Sequence, residues 1–133
     1  MTTVIALFAP VLMLFHLVGP LPSDLGIHSG TLSPCNTPAH CARQTWSSSS
    51  PETDFASLVA YVKEMPRTEV VEQTNHYIHA EASSALFGFV DDLELLLDVS
   101  NGSIQARSVS RLGDSDLGVN ANRLRELQSL VSH

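Results

Sequence analysis

Asn101-Gly102, set between two runs of alternating side chains, constrains this chain more than any other feature. A two-residue type I′ reversal needs φ > 0 at both central positions, and Asn-Gly meets that need at low steric cost. The pattern predicts a hairpin over Phe89 to Arg111, with position 100 facing 103. Leu93, Leu95, Leu97 and Val99 then share a face with Ile104 and Ala106. The other face carries Asp92, Glu94, Leu96 and Asp98 together with Gln105, Arg107, Val109 and Arg111. In this register Asp92 lies opposite Arg111. Arg107 lies opposite Leu96, with Glu94 and Asp98 as diagonal neighbours within reach of a long side chain. Acids and arginines thus interleave on one side of the sheet.

The neighbouring segments supply the rest of a domain. Ser50-Pro51 with Glu52 in the first turn starts a helix, Phe55, Leu58, Val59 and Val62 fall on one face of it, and Pro66 stops it. Thr68 to Gln73 and His76 to Ser83 read as strands joined at Thr74-Asn75. His76 and His79 point to opposite faces by alternation and are expected at the surface. Beyond the hairpin, Gly113 and Gly118 bracket a turn. A last helix follows, with Val119, Leu124, Leu127, Leu130 and Val131 as its stripe and Asp116 or Asn120 as its cap. The order predicts an α+β fold: a four-stranded antiparallel sheet with an N-terminal and a C-terminal helix on one face, preceded by an apolar leader helix. The charged hairpin face is then the open one, and truncating Arg107 there costs only modest stability.

Residues 1–20 are expected to be a signal peptide or membrane anchor, residues 21–49 a Cys-containing loop or linker, and residues 50–133 the single domain. Val4 to Val18 is apolar except for Pro10 and His16. That is the length of a signal-peptide core and short of the ~20 residues of a bilayer span. No Lys or Arg precedes it and no small-x-small cleavage site follows, so an uncleaved anchor ending near Leu21 stands beside the signal peptide. Both imply an extracytoplasmic compartment, periplasmic or thylakoid-lumen-like, with membrane contact through this segment. The chain has 14 acidic and 7 basic residues, a net charge of −7, and no Lys/Arg cluster. Nucleic acid is therefore set aside as a partner.

Cys35 and Cys41 are the only cysteines, in a loop rich in proline. A disulfide between them suits an exported chain. A metal site of Cys35, His40 and Cys41 lacks a fourth ligand and the usual spacing, and Ser33-Pro34-Cys35 is a loose match to a lipidation signal. The disulfide is preferred, with no metal and no cofactor.

Three stretches carry a family resemblance: Leu25-Gly26 with Gly30, Leu32 and Pro34-Cys35 through Cys41; Phe89-Val90-Asp91-Asp92-Leu93-Glu94; and the run from Arg107 to Asn120, RSVSRLGDSDLGVN, with Arg123 just beyond. Together they resemble the family catalogued as domain of unknown function 1499. The polar residues that follow the second cysteine in that family are absent here. The resemblance implies bacterial or plastid relatives, often with a leader or membrane segment, and implies no activity.

The candidate binding residues are Asp91, Asp92, Glu94, Arg107, Ser108, Arg111, Ser115, Asp116, Asn120 and Arg123. On an exposed face the ionic ones are more simply cross-strand ion pairs of ~0–1 kcal/mol each. Asp91, Ser108 and Ser110 fall at the polar end of the apolar face. They are expected to bond backbone amides of the 114–120 turn as a structural clasp. Ser115 to Asn120 is also a possible anion-binding helix start facing Arg123 or Arg111. No histidine falls between Glu81 and Ser132 to act as base for a serine, so no catalytic residue is assigned. The expected function is a non-catalytic module that binds a protein partner or small ligand. The alternatives are an enzyme using the Asp/Arg/Ser cluster and a purely structural protein. Convergence of the motif residues on one pocket would favour ligand binding or catalysis; dispersal would favour an interaction role.

Overall fold

A computed structural model describes residues 18–85 and 88–133. The apolar leader expected over residues 1–20 falls largely on residues 1–17, outside the described residues. Among the described residues, no helix is long and apolar enough to cross a membrane.

The chain runs β1 (Ile27–His28), β2 (Thr31–Leu32), a 3₁₀ turn (Pro38–His40), β3 (Cys41–Ser47), α1 (Pro51–Glu64), β4 (Thr68–Gln73), β5 (Tyr77–Ser83), β6 (Val90–Asp98), β7 (Ser103–Ser110) and α2 (Val119–Gln128). β1 and β2 form a small hairpin. The other strands form one antiparallel sheet in the order β3-β7-β6-β5-β4. The sheet therefore has five strands, not four. The extra strand, β3, lies within the segment expected to be a linker. Only Ala42 and Trp46 offer it apolar side chains on the core side, too weak an alternation to identify from sequence. Trp46 nonetheless sits in the core at 3% exposure.

α1 and α2 pack on one face of the sheet. Phe55, Leu58, Val59 and Val62 of α1 meet Leu124 and Leu127 of α2, with Ile78, Leu93, Leu95, Ile104 and Ala106 beneath. Full burial of each large side chain contributes about 1.5–3 kcal/mol. Val119 and Leu130, expected in the stripe of α2, are exposed, while Val131 is buried.

The hairpin forms, but its turn differs from the one expected. The loop between β6 and β7 has four residues, Val99 to Gly102, closed by the Gly102 N–H donating to the Val99 carbonyl at 3.1 Å. Only Gly102 of the Asn-Gly pair has φ > 0, at 59°. The Asp98 carboxylate is the cause. It accepts from Ser100 Oγ, Asn101 N and Asn101 Nδ2, and so holds Asn101 inside a longer loop. Asp92 consequently lies opposite Val109 and Glu94 opposite Arg107. The register moves by an even step, so every side chain keeps its expected face. Val99 leaves the strand and is exposed. The reversal with two positive φ values occurs instead at Ser29-Gly30, between β1 and β2.

The largest correction concerns the charged face. Asp92 and Glu94 are 0% exposed and Arg107 is 2% exposed. The segment before β3 folds across this side of the sheet. Leu32 N donates to Gln105 Oε1 at 2.9 Å, Gly26 N donates to Glu94 Oε2 at 2.7 Å, and Leu32 packs on Tyr77 and Leu96. The disulfide Cys35–Cys41 (S–S 2.09 Å, Cα–Cα 5.6 Å) ties this strap to the start of β3. Both cysteines of the sequence are thereby used.

Candidate functional site

Two polar layers lie on opposite faces of β6 and β7, and alternation decides which residue joins which. In Arg107-Ser108-Val109-Ser110-Arg111 the arginines face the strap and the serines face the helices.

Beneath the strap, Asp92 accepts from Arg111 Nε at 2.8 Å and from Arg111 Nη2 at 2.9 Å, and it bonds His79 Nε2 at 2.7 Å. Arg111 Nη2 also donates to Glu81 at 2.6 Å. Glu94 accepts from Tyr77 Oη at 2.6 Å, from Gly26 N and, at 3.3 Å, from Arg107 Nη1. Arg107 Nη2 reaches Asp24 of the strap at 2.7 Å. Burial works against the charge on Asp92, but the hydrogen bonds and charges of Arg111 and His79 outweigh it and hold the carboxyl below its usual range. Burial likewise opposes the His79 imidazolium, while Asp92, Glu94 and Glu81 together raise its pKa. Burial first, then the Glu94 hydrogen bond, raises the Tyr77 phenol.

His79 was expected at the surface and is 6% exposed. Its bond to Asp92 was visible in neither motif nor spacing, because no turn signal fixes the register of β5 on β6, in which His79 lies opposite Glu94 and diagonal to Asp92. Among the described residues, one ligand atom each from His79, Glu81 and Asp92 lie within 4.8 Å of one another. Arg111 already bonds both of those carboxylates and serves as their cation. Asp98, expected beside Arg107, instead holds the hairpin loop. Arg107 is not the exposed residue whose truncation costs little: breaking a buried ion pair costs about 3–5 kcal/mol.

On the other face Asn120, 0% exposed, organises the clasp. Ser108 Oγ donates to Asn120 Oδ1 at 2.6 Å. Asn120 Nδ2 donates to Asp116 Oδ2 at 2.7 Å, to Ser110 Oγ at 2.8 Å and to the His40 carbonyl at 3.2 Å. Arg123 Nη1 donates to Ser108 Oγ at 2.9 Å and pairs with Asp91 at 2.9 Å. The partners of Asp91, Ser108 and Ser110 are therefore side chains of α2, not the amides of the preceding turn. Those amides are taken by Asp116, whose carboxylate accepts from Gly118 N at 2.8 Å and from Asn120 N at 3.2 Å. The expected anion-binding helix start is thus filled by the chain itself, and Arg111 is on the far face. Ser115 is exposed, and its Oγ accepts from Leu117 N at 3.3 Å.

The ten candidate residues do not converge on one pocket; the sheet divides them. Arg107 and Arg111 nevertheless both line a cleft of about 480 Å³ at the margin of the strap, with Asp24, Asn36, Thr37 and His40 among its other walls. The buried Arg107 Nε and His40 Nδ1 have no hydrogen-bond partner among the described residues. Groups of that kind call for explanation, since nearly all buried polar atoms are paired. The strap residues Asp24, Asn36 and Thr37 were missed as site residues, and His40 entered only as a weak metal ligand. Gly26 and Leu32, which anchor the strap, lay inside the family-like stretch and were the available signal.

A second cavity of about 300 Å³ lies at the other end of the clasp, lined by Phe89, Leu112, Leu117, Val119 and Arg123 among others. Leu117 is 91% exposed at φ 54°.

No curated protein and no solved structure matches this chain. A family model does, over residues 28–131, and its span covers the strap from β1, both halves of the RSVSR alternation and the clasp. The chain belongs to the family described as protein of unknown function, DUF1499.

Proposed function

We propose that this domain is a non-catalytic binding module, held at a membrane in an extracytoplasmic or lumenal compartment, that takes a small ligand in the cleft beside Arg107 and Arg111. The cleft carries the reading. Although the motif residues as a whole disperse over two faces, both motif arginines, the disulfide loop and the strap line this cleft, and its size suits a small molecule. The disulfide supports an oxidising compartment. The apolar N-terminal sequence supports membrane attachment. The described chain starts beside Leu112, where a Cβ on Gly19 would lie 2.8 Å from Leu112 Cγ. Exposed Leu117 and Val119 line the same cavity as Leu112.

The enzyme alternative has less behind it. Ser108 and Ser110 bond Asn120 on the helix side of the sheet, whereas His79 is engaged with Asp92 on the strap side. Among the described residues, neither Ser108 Oγ nor Ser110 Oγ is hydrogen-bonded to a histidine or a carboxylate.

A panel of small molecules of varied charge, screened by amide chemical shifts on the full chain in a nonionic detergent, tests the reading. Binding should shift Asn36 to Cys41 and Ser110 to Arg111, and Thr37→Trp, which fills the cleft mouth, should abolish it. If no compound binds, or if Thr37→Trp leaves binding intact, the cleft is not the site.

A further inference from the structure

Arg107 is held unequally on its two sides. Inward, Nη1 meets Glu94, a 0% exposed carboxylate that also accepts from Tyr77 and from the Gly26 amide. Outward, Nη2 meets Asp24, whose side chain is 34% exposed against 3% for Arg107. Among the described residues that bond is the only hydrogen bond of the Asp24 carboxylate. Its backbone is pinned separately, through the Asp24 carbonyl accepting from Ser33 Oγ at 2.7 Å. Glu94 is thus a built-in part of the core, and Asp24 is a half-exposed carboxylate placed on the outer nitrogen of a buried guanidinium.

The cleft around this contact is rich in donors. Arg111 directs Nε and Nη2 inward to Asp92 and Glu81, and its Nη1 has no acceptor among the described residues. Arg107 Nε and His40 Nδ1 are buried without partners. Asp24 is the only carboxylate among the lining residues. Two guanidinium groups, one from β7 and one from the residue just past its end, line the same opening and are suited to planar recognition of an oxyanion.

We propose that the cleft binds a small oxyanion, a carboxylate or phosphate monoester, on Arg107 and Arg111, and that Asp24 is the resident carboxylate which this ligand displaces. The proposal rests on the cleft being the ligand site and adds the ligand's chemistry and the competing group. Displacement exchanges one charge-assisted bond on Nη2 for another, so the buried Arg107 charge is not left bare. It also swings the exposed Asp24 carboxylate into water, where solvation compensates its lost partner. The same chemistry fits a free anion and a lipid headgroup phosphate.

The test titrates inorganic phosphate and acetate into the full chain and into Asp24→Asn, following the Arg107 and Arg111 side-chain N–H resonances. A parallel arm uses phosphatidylcholine vesicles with and without phosphatidic acid. Removing the internal competitor should tighten oxyanion binding at least tenfold and shift the Arg107 Nε signal. Ser33→Ala, which frees the strap that carries Asp24, should tighten it in the same direction and serves if Asp24→Asn folds poorly. Tighter binding of the soluble anions identifies a free ligand, and tighter binding confined to phosphatidic acid identifies a headgroup; either supports the proposal. Unchanged or weaker oxyanion binding in both variants overturns it. Neutral compounds that bind and are blocked by Thr37→Trp would leave the cleft standing while this inference fell.

Discussion

Arg111 holds Asp92 side-on, Nε to Oδ2 at 2.8 Å and Nη2 to Oδ1 at 2.9 Å, although the two residues are not register partners across β6 and β7. Asp92 is fully buried and its other contact is the His79 ring. Asp92→Asn would therefore leave His79 Nε2 without its carboxylate partner and Arg111 with Glu81 as its remaining one. A loss of about 3–5 kcal/mol in urea unfolding is expected. A cost below about 1 kcal/mol would mean that the strap leaves this layer wet.

The same pair sets a pH dependence. The folded pKa of His79 is raised, so its contribution to stability is complete below the unfolded value of roughly 6.5 and is lost as pH rises through the folded value. The folded pKa of Asp92 is lowered, so its contribution is present above roughly 4 and is lost as pH falls through the folded value. Stability should peak between these limits. Urea midpoints from pH 5 to 9 should fall on the alkaline side for the wild-type chain and flatten in His79→Gln. Parallel curves would remove His79 as the cause.

The Cys35–Cys41 bridge closes a short loop, which in the chain-entropy account contributes about 2 kcal/mol. Reduction should lower the melting temperature and change the mobility of an alkylated sample. Equal thiol labelling with and without reductant would contradict the bond.

Asn120 stands between α2, β7 and the end of the disulfide loop. Asn120→Ala would leave Ser108 Oγ and the Asp116 carboxylate short of partners, at about 1–3 kcal/mol for each group left unsatisfied. Hydrogen exchange should quicken at the β7 and α2 ends that the clasp joins. Unchanged protection there would show that the clasp is dispensable.

Leu117 exposes 91% of its surface in a left-handed conformation that costs a side chain about 1–2 kcal/mol. Asparagine tolerates that conformation better. Leu117→Asn should hold or raise the melting temperature while reducing adsorption to vesicles, measured by co-sedimentation. Undiminished adsorption would assign the apolar side chain no role at a bilayer.

Much of this architecture was legible in the residues. Thr68–Gln73 was bounded correctly, and the two faces of β6 and β7 were sorted correctly. Alternation has a period of two, so a shift of register by an even step cannot mix faces. What the chain's local pattern hid was long-range. β3 has the polarity of a loop, and its partner β7 lies more than fifty residues away. The strap has no periodic signal, yet it turns an expected surface of weak ion pairs into a buried network. Two-sided alternation, evident in Arg107-Ser108-Val109-Ser110-Arg111, already implied that the candidate residues could not form a single cluster.

The place of β3 in the sheet has a consequence for biosynthesis. Among the described residues it is the first long strand to be made, and it borders the last one. A chain emerging from a ribosome must carry β3 unzipped until β7 arrives, and closure of the strap waits with it. Assembly is thus governed from the strands that follow β3, and a chaperone guarding the nascent chain would have its work at β3 and the strap.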